Sequence, residues 1–231
     1  MAAVNERPCE PSEVQVKLPP KPPLRLRLKA WWEGTELEVR QRPRPSRAKP
    51  PPQPKIERWS EPHIDFLQQV WGEGFLTPGG EAGLLKLVKP IGLNPSMSLL
   101  DIGAGLGGPA RLMAKTFGVW VSGLDQRPQI AKHGLALSAK AGLEKKAPIT
   151  PFDPETFDGK AKSYDCVFSK ECFFAIKHKE QLIKTIGKLL KDTGHVLFTD
   201  FVLAESGLKS PTIETWKAGE PDTPYPWSIE Q

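Results

Sequence analysis

The sequence contains few of the features that stabilise small secreted proteins or insert a chain into a membrane. Its 231 residues include three cysteines, Cys9, Cys166 and Cys172, with no paired C-x-x-C pattern. This argues against a disulfide framework or a zinc site. No apolar run approaches the roughly 18 residues that span a bilayer, and the polar first residues, MAAVNERPCEPSE, are unlike a signal peptide. These absences favour a cytoplasmic location.

Positive charge and proline are concentrated in one part of the chain. The net charge is +5, and residues 1–58 hold 13 Lys and Arg against 7 Asp and Glu, so the remainder is nearly neutral. Twelve of the 25 prolines also lie there, in tracts such as KLPPKPPLR that are typical of extended polyproline structure. We therefore predict a proline-rich basic arm over 1–58 and one globular domain over 59–231.

One stretch of the arm has an alternating pattern. LRLRLKAWWEGTELEVR alternates apolar and charged residues around Glu33 and Gly34, which predicts a β-hairpin with its leucines on one face. The alternative is a basic arm that binds nucleic acid or an anionic membrane surface. Three glutamates interrupt the positive charge of this stretch, so nucleic-acid binding is disfavoured.

After residue 56 the pattern changes to alternating strands and helices. We predict helices over 61–70, 81–88, 109–117 and 128–140, and strands over 97–103, 119–125, 147–150, 164–169 and 194–202. A further helix before the last strand would place a core stripe on one side: Leu182, Ile183, Ile186, Leu189 and Leu190. Strands separated by helices predict an α/β fold with a doubly wound, mostly parallel sheet.

The segment DIGAGLGGPA holds three glycines, Gly103, Gly105 and Gly108, in a G-x-G-x-x-G frame. In a doubly wound sheet, such a turn after the first strand often binds an adenosine-containing ligand, although purely structural turns share the pattern. Asp101 would oppose a pyrophosphate at the following helix, whereas it would suit the cationic S-adenosylmethionine. Asp125, after the next strand, could accept ribose hydroxyls of either ligand.

Four motifs in order resemble those of the class I S-adenosylmethionine-dependent methyltransferases. They are LLDIGAGLGGPARLMA, Asp125 in VSGLD, Asp153 in PFDPETF, and the strand YDCVFS, and the resemblance covers about residues 70–202. Within that superfamily, WGEGFLTPGG and SKECFFAIKHKE are similar to the phosphoethanolamine N-methyltransferases and other small-amine methyltransferases. The resemblance implies a Rossmann-like fold, S-adenosylmethionine as cofactor and S-adenosylhomocysteine as product.

The resemblance also implies which residues contact the cofactor. The methionine end would lie against Leu76 and Thr77, and Gly103 and Gly105 would pass beneath it. Asp125 would bind the ribose, Gln126 the adenine face, and Asp153 the adenine amino group. Lys170 stands where the family has an arginine, and Asp101 precedes the glycine turn.

The proposed catalytic residues depart from the family pattern. Glu171 stands where the family has the aspartate that faces the amine, and a carboxylate there can attract an amine and accept its proton. A tyrosine and a histidine that form the family's dyad are replaced by Trp59 and Ala175. Trp59 could cover the cofactor and stabilise a cation through its ring face. His178 follows nearby and is more typical of a surface residue.

The end of the sequence also departs from the family, which usually adds two more strands after the fifth. Either the sequence is a fragment that lacks these C-terminal strands, or the amino-terminal hairpin replaces the missing edge of the sheet. We favour the fragment, with Trp216, Tyr225 and Trp227 as part of the acceptor wall. The sequence predicts methyl transfer to a small-molecule acceptor, most plausibly an amine nitrogen. The alternatives are a non-catalytic S-adenosylmethionine-binding module and, on the glycine count alone, a nicotinamide oxidoreductase.

Overall fold

A computed structural model describes residues 23–33, 59–204, 210–220 and 224–228. The chain divides into two compact units, residues 1–54 and 55–231.

In the first unit the described residues form helix α1, Leu24–Glu33, so the hairpin prediction is wrong for this stretch. The backbone N–H of Arg27 donates to the Pro23 carbonyl at 3.2 Å, as in a first helical turn. Leu, Arg, Lys and Ala are strong helix formers, and here their propensity overrides the alternating pattern. The second half of the predicted hairpin lies outside the described residues.

The second unit alternates strands and helices as predicted. Its helices are α2 (Glu61–Trp71), α3 (Gly80–Val88), α4 (Gly108–Phe117), α5 (Pro128–Lys140), α6 (Lys179–Leu189) and α7 (Pro211–Gly219), and its strands are β1 (Ser98–Ile102), β2 (Trp120–Asp125), β3 (Ile149–Pro151), β4 (Tyr164–Lys170) and β5 (Leu190–Thr199). Among the helices described, none is both long and apolar enough to cross a bilayer.

The five described strands form one sheet in the order β3-β2-β1-β4-β5, and every neighbouring pair is parallel. The predicted α/β fold is therefore confirmed. β5 begins at Leu190, earlier than predicted, and its pairing with β4 shifts register between Tyr164 and Cys166. Strand order reverses between β1 and β4, and ligands of doubly wound folds bind beyond the carboxyl ends of the strands at such a point.

The central strands β1 and β4 are buried on both faces because their side chains alternate between two apolar layers. Leu99 belongs to the layer that contains Met113 of α4, whereas Leu100 belongs to the layer that contains Leu182 of α6. The predicted core stripe of α6 is correct at Leu182, Ile186 and Leu189, which are buried. Ile183 is 46% exposed, because the 3.6-residue period turns it away from the side on which Leu182 and Ile186 lie.

Candidate functional site

A cavity of about 430 Å³ lies beyond the carboxyl ends of β1, β2 and β4, where the strand order reverses. The structure brings together nine of the predicted site residues as part of its lining: Trp59, Leu76, Thr77, Gly103, Gly105, Asp125, Gln126, Lys170 and Glu171. Residues separated by more than 100 positions in the chain therefore share one cavity.

The glycine turn after β1 forms the floor of this cavity. Gly103 and Gly105 have φ values of 81° and 57°, in the left-handed region that glycine adopts most readily. A Cβ added at Gly103 would lie 2.5 Å from the Cβ and Sγ atoms of Cys172. The turn therefore needs glycine at position 103 for the packing of the protein itself, in addition to any close approach of a ligand.

Asp125 ends β2 and fixes the turn through its carboxylate. Its Oδ2 accepts the backbone N–H of Gly105 at 2.9 Å, and its Oδ1 accepts the backbone N–H of Arg127 at 2.9 Å. Each carboxylate oxygen has two lone pairs, so the group can hold the loop and accept further hydrogen bonds.

Asp101 is buried and does not line the cavity. Its side chain is 1% exposed, and its Oδ2 has no hydrogen-bond partner among the described residues. Burial, with a smaller contribution from the nearby Asp125 carboxylate, raises the pKa of Asp101 to about 8, so the neutral form is favoured at pH 7. Its position thus differs from the one expected beside a cationic ligand, and a role in cofactor binding stays a prediction.

The first turn of α4 is closed by a neighbouring loop. The backbone N–H of Gly108 donates to the Gly74 carbonyl at 3.0 Å, and Pro109 has no N–H to offer. A Cβ on Gly108 would lie 2.6 Å from the Gly74 oxygen, so the two backbones are in tight contact. Two positions of this first turn, Gly108 and Pro109, therefore offer no N–H to a pyrophosphate, which a dinucleotide site binds at such a helix N-terminus.

Arg111 supports the same turn from inside the protein, and the sequence analysis missed it. Its buried guanidinium Nη1 donates to the Leu106 carbonyl at 2.7 Å and to the Gly134 carbonyl at 3.4 Å. Burial lowers the pKa of Arg111. The side chain thereby ties the glycine turn to α5.

Lys170 and Glu171 follow β4 and form an ion pair at the cavity. Lys170 Nζ donates to Glu171 Oε1 at 2.7 Å and to Thr77 Oγ1 at 2.8 Å, which joins the two sides of the cavity. Glu171 has a φ of 54°, and its N–H donates to the Thr199 carbonyl at 2.7 Å. A left-handed conformation at a residue other than glycine is held by its surroundings and is more common at functional sites.

One face of α2 and the preceding turn lines the opposite wall. Trp59, His63, Leu67 and Trp71 all contact the cavity and follow one another at four-residue intervals, which places them on one helix face. The sequence analysis considered only Trp59, although this spacing was visible. The Arg127 guanidinium lies 4.2 Å from the Trp59 ring centroid, so a cation already covers part of that ring.

A second, more open cavity adjoins the first one. Gln126, Arg127 and Ala175 line both cavities, and Asp153 lines only the second. The Asp153 carboxylate accepts the backbone N–H of Glu155 at 3.0 Å and the Thr156 hydroxyl at 3.1 Å. A ligand of nucleoside length that extended past Gln126 would therefore approach Asp153.

The remaining predicted positions are divided between the two cavities and the surface. Trp216 lines the first cavity and Tyr225 the second. Trp227 lies instead beside Lys179, whose Nζ is 5.3 Å from its ring centroid. His178 is exposed and lies 3.7 Å from Glu155, outside the lining of both cavities.

Comparisons with known proteins agree on the fold and on the class of activity. Residues 80–226 match a family model described as "Methyltransferase domain". The chain is 36% identical over 140 residues to phosphoethanolamine N-methyltransferase 2 of Caenorhabditis elegans, which covers 59% of this chain and 31% of that protein. It is 26% identical over 163 residues to a glycine/sarcosine/dimethylglycine N-methyltransferase of Actinopolyspora halophila. This match covers 65% of this chain and 29% of that protein.

A solved structure extends this likeness. Haemonchus contortus phosphoethanolamine N-methyltransferase 2 in complex with S-adenosyl-L-methionine superposes with a TM-score of 0.67 at 29% identity, covering 75% of this chain and 40% of that one. The matched region is about a third of the length of the curated relatives.

Proposed function

The chain belongs to the family of methyltransferase domains, and from that premise we propose that it binds S-adenosylmethionine in the described cavity and methylates an amine nitrogen of a small molecule. The observation that carries the proposal is the pairing of two groups in one cavity. Asp125 is anchored to the glycine turn there, and Glu171 lies in the same lining. The Asp125 carboxylate is suited to an adenosine ligand, and the Glu171 carboxylate is suited to an amine.

The residues present fit the methyl donor. Asp125 keeps acceptor capacity for the ribose hydroxyls, Gln126 borders both cavities, and Asp153 lies where the second cavity opens. Leu76 and Thr77 line the first cavity, where the methionine end would lie. When bound, S-adenosylmethionine supplies an electrophilic methyl group on a positively charged sulfur.

The same site is a poor fit for a nicotinamide dinucleotide. The N–H of Gly108 is already used by the Gly74 carbonyl, so the first turn of α4 does not offer it to a pyrophosphate. Three carboxylates and two cationic side chains line the cavity: Asp125, Glu171, Glu220, Arg127 and Lys170. An excess of negative charge favours a cationic ligand over a phosphorylated one.

The reaction requires an amine nitrogen that has lost a proton. Its lone pair forms the new bond to the methyl carbon, and the electrons of the broken C–S bond remain on sulfur. Glu171 is the proposed acceptor of the amine proton. His63, which also lines the cavity, is the other residue of a suitable type. Positioning of the two reactants next to each other in the cavity would supply most of the rate.

A transfer assay tests this proposal. The full chain would be incubated with methyl-labelled S-adenosylmethionine and a panel of ethanolamine, dimethylethanolamine, glycine, sarcosine and phosphoethanolamine, together with matched alcohols and thiols. We expect the label on at least one amine. Transfer only to oxygen or sulfur nucleophiles would contradict the amine assignment.

A further inference from the structure

Three aromatic side chains from separate elements meet at one wall of the first cavity. Phe174 comes from the turn after β4, Phe201 follows β5, and Trp216 belongs to α7. The ring centroids of Phe174 and Phe201 are 5.2 Å apart, and Trp216 lies 6.1 Å and 6.3 Å from them. All three line the cavity, and we call them the aromatic wall.

Backbone hydrogen bonds hold two members of this wall. The Asp200 carboxylate accepts the backbone N–H of Phe201 at 2.8 Å. The Phe174 carbonyl in turn accepts the N–H of Tyr225 at 2.6 Å. The backbones of Phe201 and Phe174 are thus held by hydrogen bonds, and Trp216 packs against both rings.

The charged residues in front of the wall do not resemble a phosphate site. Lys170 Nζ is paired with Glu171 and Thr77. The Arg127 guanidinium lies over Trp59, and its Nη1 is 3.6 Å from Asp125 Oδ1. Phosphate groups are normally bound by cations directed at them, whereas here both cations already have carboxylate partners.

Aromatic faces bordered by carboxylates are a known solution for binding alkylated ammonium groups. An apolar wall alone would bind any apolar ligand. Glu171 and Glu220 line the same cavity, however, and their carboxylates favour a ligand with a positive charge. Phe201 is 51% exposed, so much of its surface is available to a ligand.

We infer that the aromatic wall is the acceptor subsite, and that it selects a small alkylammonium compound without a phosphate group. This inference rests on the proposed function, because the wall shares the cavity proposed for the methyl donor. It makes Phe174, Phe201 and Trp216 specificity-determining residues.

Three probes of similar shape test the inference on the full chain saturated with S-adenosylhomocysteine. Choline carries the cation, 3,3-dimethyl-1-butanol has carbon in place of the charged nitrogen, and phosphocholine adds a phosphate. Calorimetric titration should show saturable binding of choline, with at least tenfold weaker binding of the other two. Equal binding of the neutral probe, tighter binding of phosphocholine, or no binding of choline would each overturn the inference.

Substitutions test whether the aromatic wall is responsible for the binding of choline. Phe201→Leu and Trp216→Leu should each weaken choline binding at least fivefold, and Phe201→Tyr should retain it because the ring face remains. The matched control is Phe198→Leu, since Phe198 is 54% exposed on β5 and lies outside the lining of the cavity. An equal loss in the control, or no loss in the wall variants, would overturn the inference.

The same titrations separate this inference from the proposed function. S-adenosylhomocysteine should bind all four variants with unchanged affinity. Failure of the parent chain to bind it would count against the proposed function. Normal binding of S-adenosylhomocysteine without discrimination among the three probes would overturn the aromatic wall assignment alone.

Discussion

The Asp125 carboxylate accepts the backbone N–H of Gly105 at 2.9 Å, which links the end of β2 to the turn after β1. Its other oxygen accepts the N–H of Arg127 at the same distance. One side chain thus shapes the floor of the cavity and also lines it. A ligand bound by this carboxylate would therefore be coupled to the geometry of the loop.

Asp125→Asn should weaken S-adenosylhomocysteine binding about 10- to 100-fold, corresponding to about 1.4 to 2.8 kcal/mol. The amide leaves one backbone N–H facing another donor and removes one acceptor. Calorimetry on the two proteins measures the change. Asp65→Asn, at an exposed position of α2 outside the cavity lining, is the control. Equal affinities for Asp125→Asn and the parent chain would remove Asp125 from the site.

Asp101→Asn should change how stability depends on pH. The pKa of Asp101 is about 8 in the folded protein, against 3.8 as the ordinary value. The folded state therefore keeps a proton that the unfolded state loses between these two values. The parent chain loses stability as pH rises through this window, with a slope that approaches about 1.4 kcal/mol per pH unit.

The variant has no such proton, so its stability relative to the parent should increase from pH 4 to pH 8 and level off above that range. Urea unfolding at several pH values measures the difference. Parallel curves for the two proteins would show that Asp101 is not held in its neutral form.

Arg111→Met should destabilise the protein by about 2 to 4 kcal/mol, because the carbonyls of Leu106 and Gly134 would lose a buried donor. Chemical unfolding measures this loss. Lys115→Met, one helical turn further along α4 and exposed, should change stability by less than about 0.5 kcal/mol. Similar effects of the two substitutions would mean that the Arg111 hydrogen bonds contribute little.

Glu171→Gln should lower kcat for methyl transfer about 100-fold or more, while S-adenosylhomocysteine affinity stays within about threefold of the parent value. The amide cannot accept the amine proton but retains the shape of the side chain. Raising the pH should partly restore the rate of the variant, because more of the amine is then already deprotonated. His63→Gln serves as the comparison. A large loss of kcat in His63→Gln, with no loss in Glu171→Gln, would show that His63 accepts the amine proton instead.

The sequence predicted the parts of the fold that depend on local periodicity. The strands around Asp101 and Asp125 and the helices that follow them were correct because apolar runs and glycine turns have few alternative structures. The hairpin prediction for residues 24–33 was wrong because alternating leucine and arginine also suit a helix, and helix propensity decided the outcome. The prediction that Ile183 is buried was wrong because a run of apolar residues does not by itself reveal where the buried side of a helix ends.

The lining of the cavity was predictable where a residue follows directly from a motif, as Gly105 and Asp125 do; their role in binding stays a prediction. The burial of Asp101 depends on how β1 packs between its neighbouring strands and the helices on both of its faces, and that requires the assembled sheet. Arg111 looks like a surface cation in sequence, and its role emerges only when the carbonyls of the turn and of α5 converge on it. The aromatic wall joins three elements, and no local pattern connects them.

Calorimetric titration of the full chain with S-adenosylhomocysteine and, separately, with NADH tests most directly whether the cavity beyond β1, β2 and β4 binds an adenosine ligand with a cationic rather than a phosphorylated partner group. We expect saturable, roughly micromolar binding of S-adenosylhomocysteine and no saturation with NADH. Saturable NADH binding, or no S-adenosylhomocysteine binding up to millimolar concentration, would show that the cavity does not have this role.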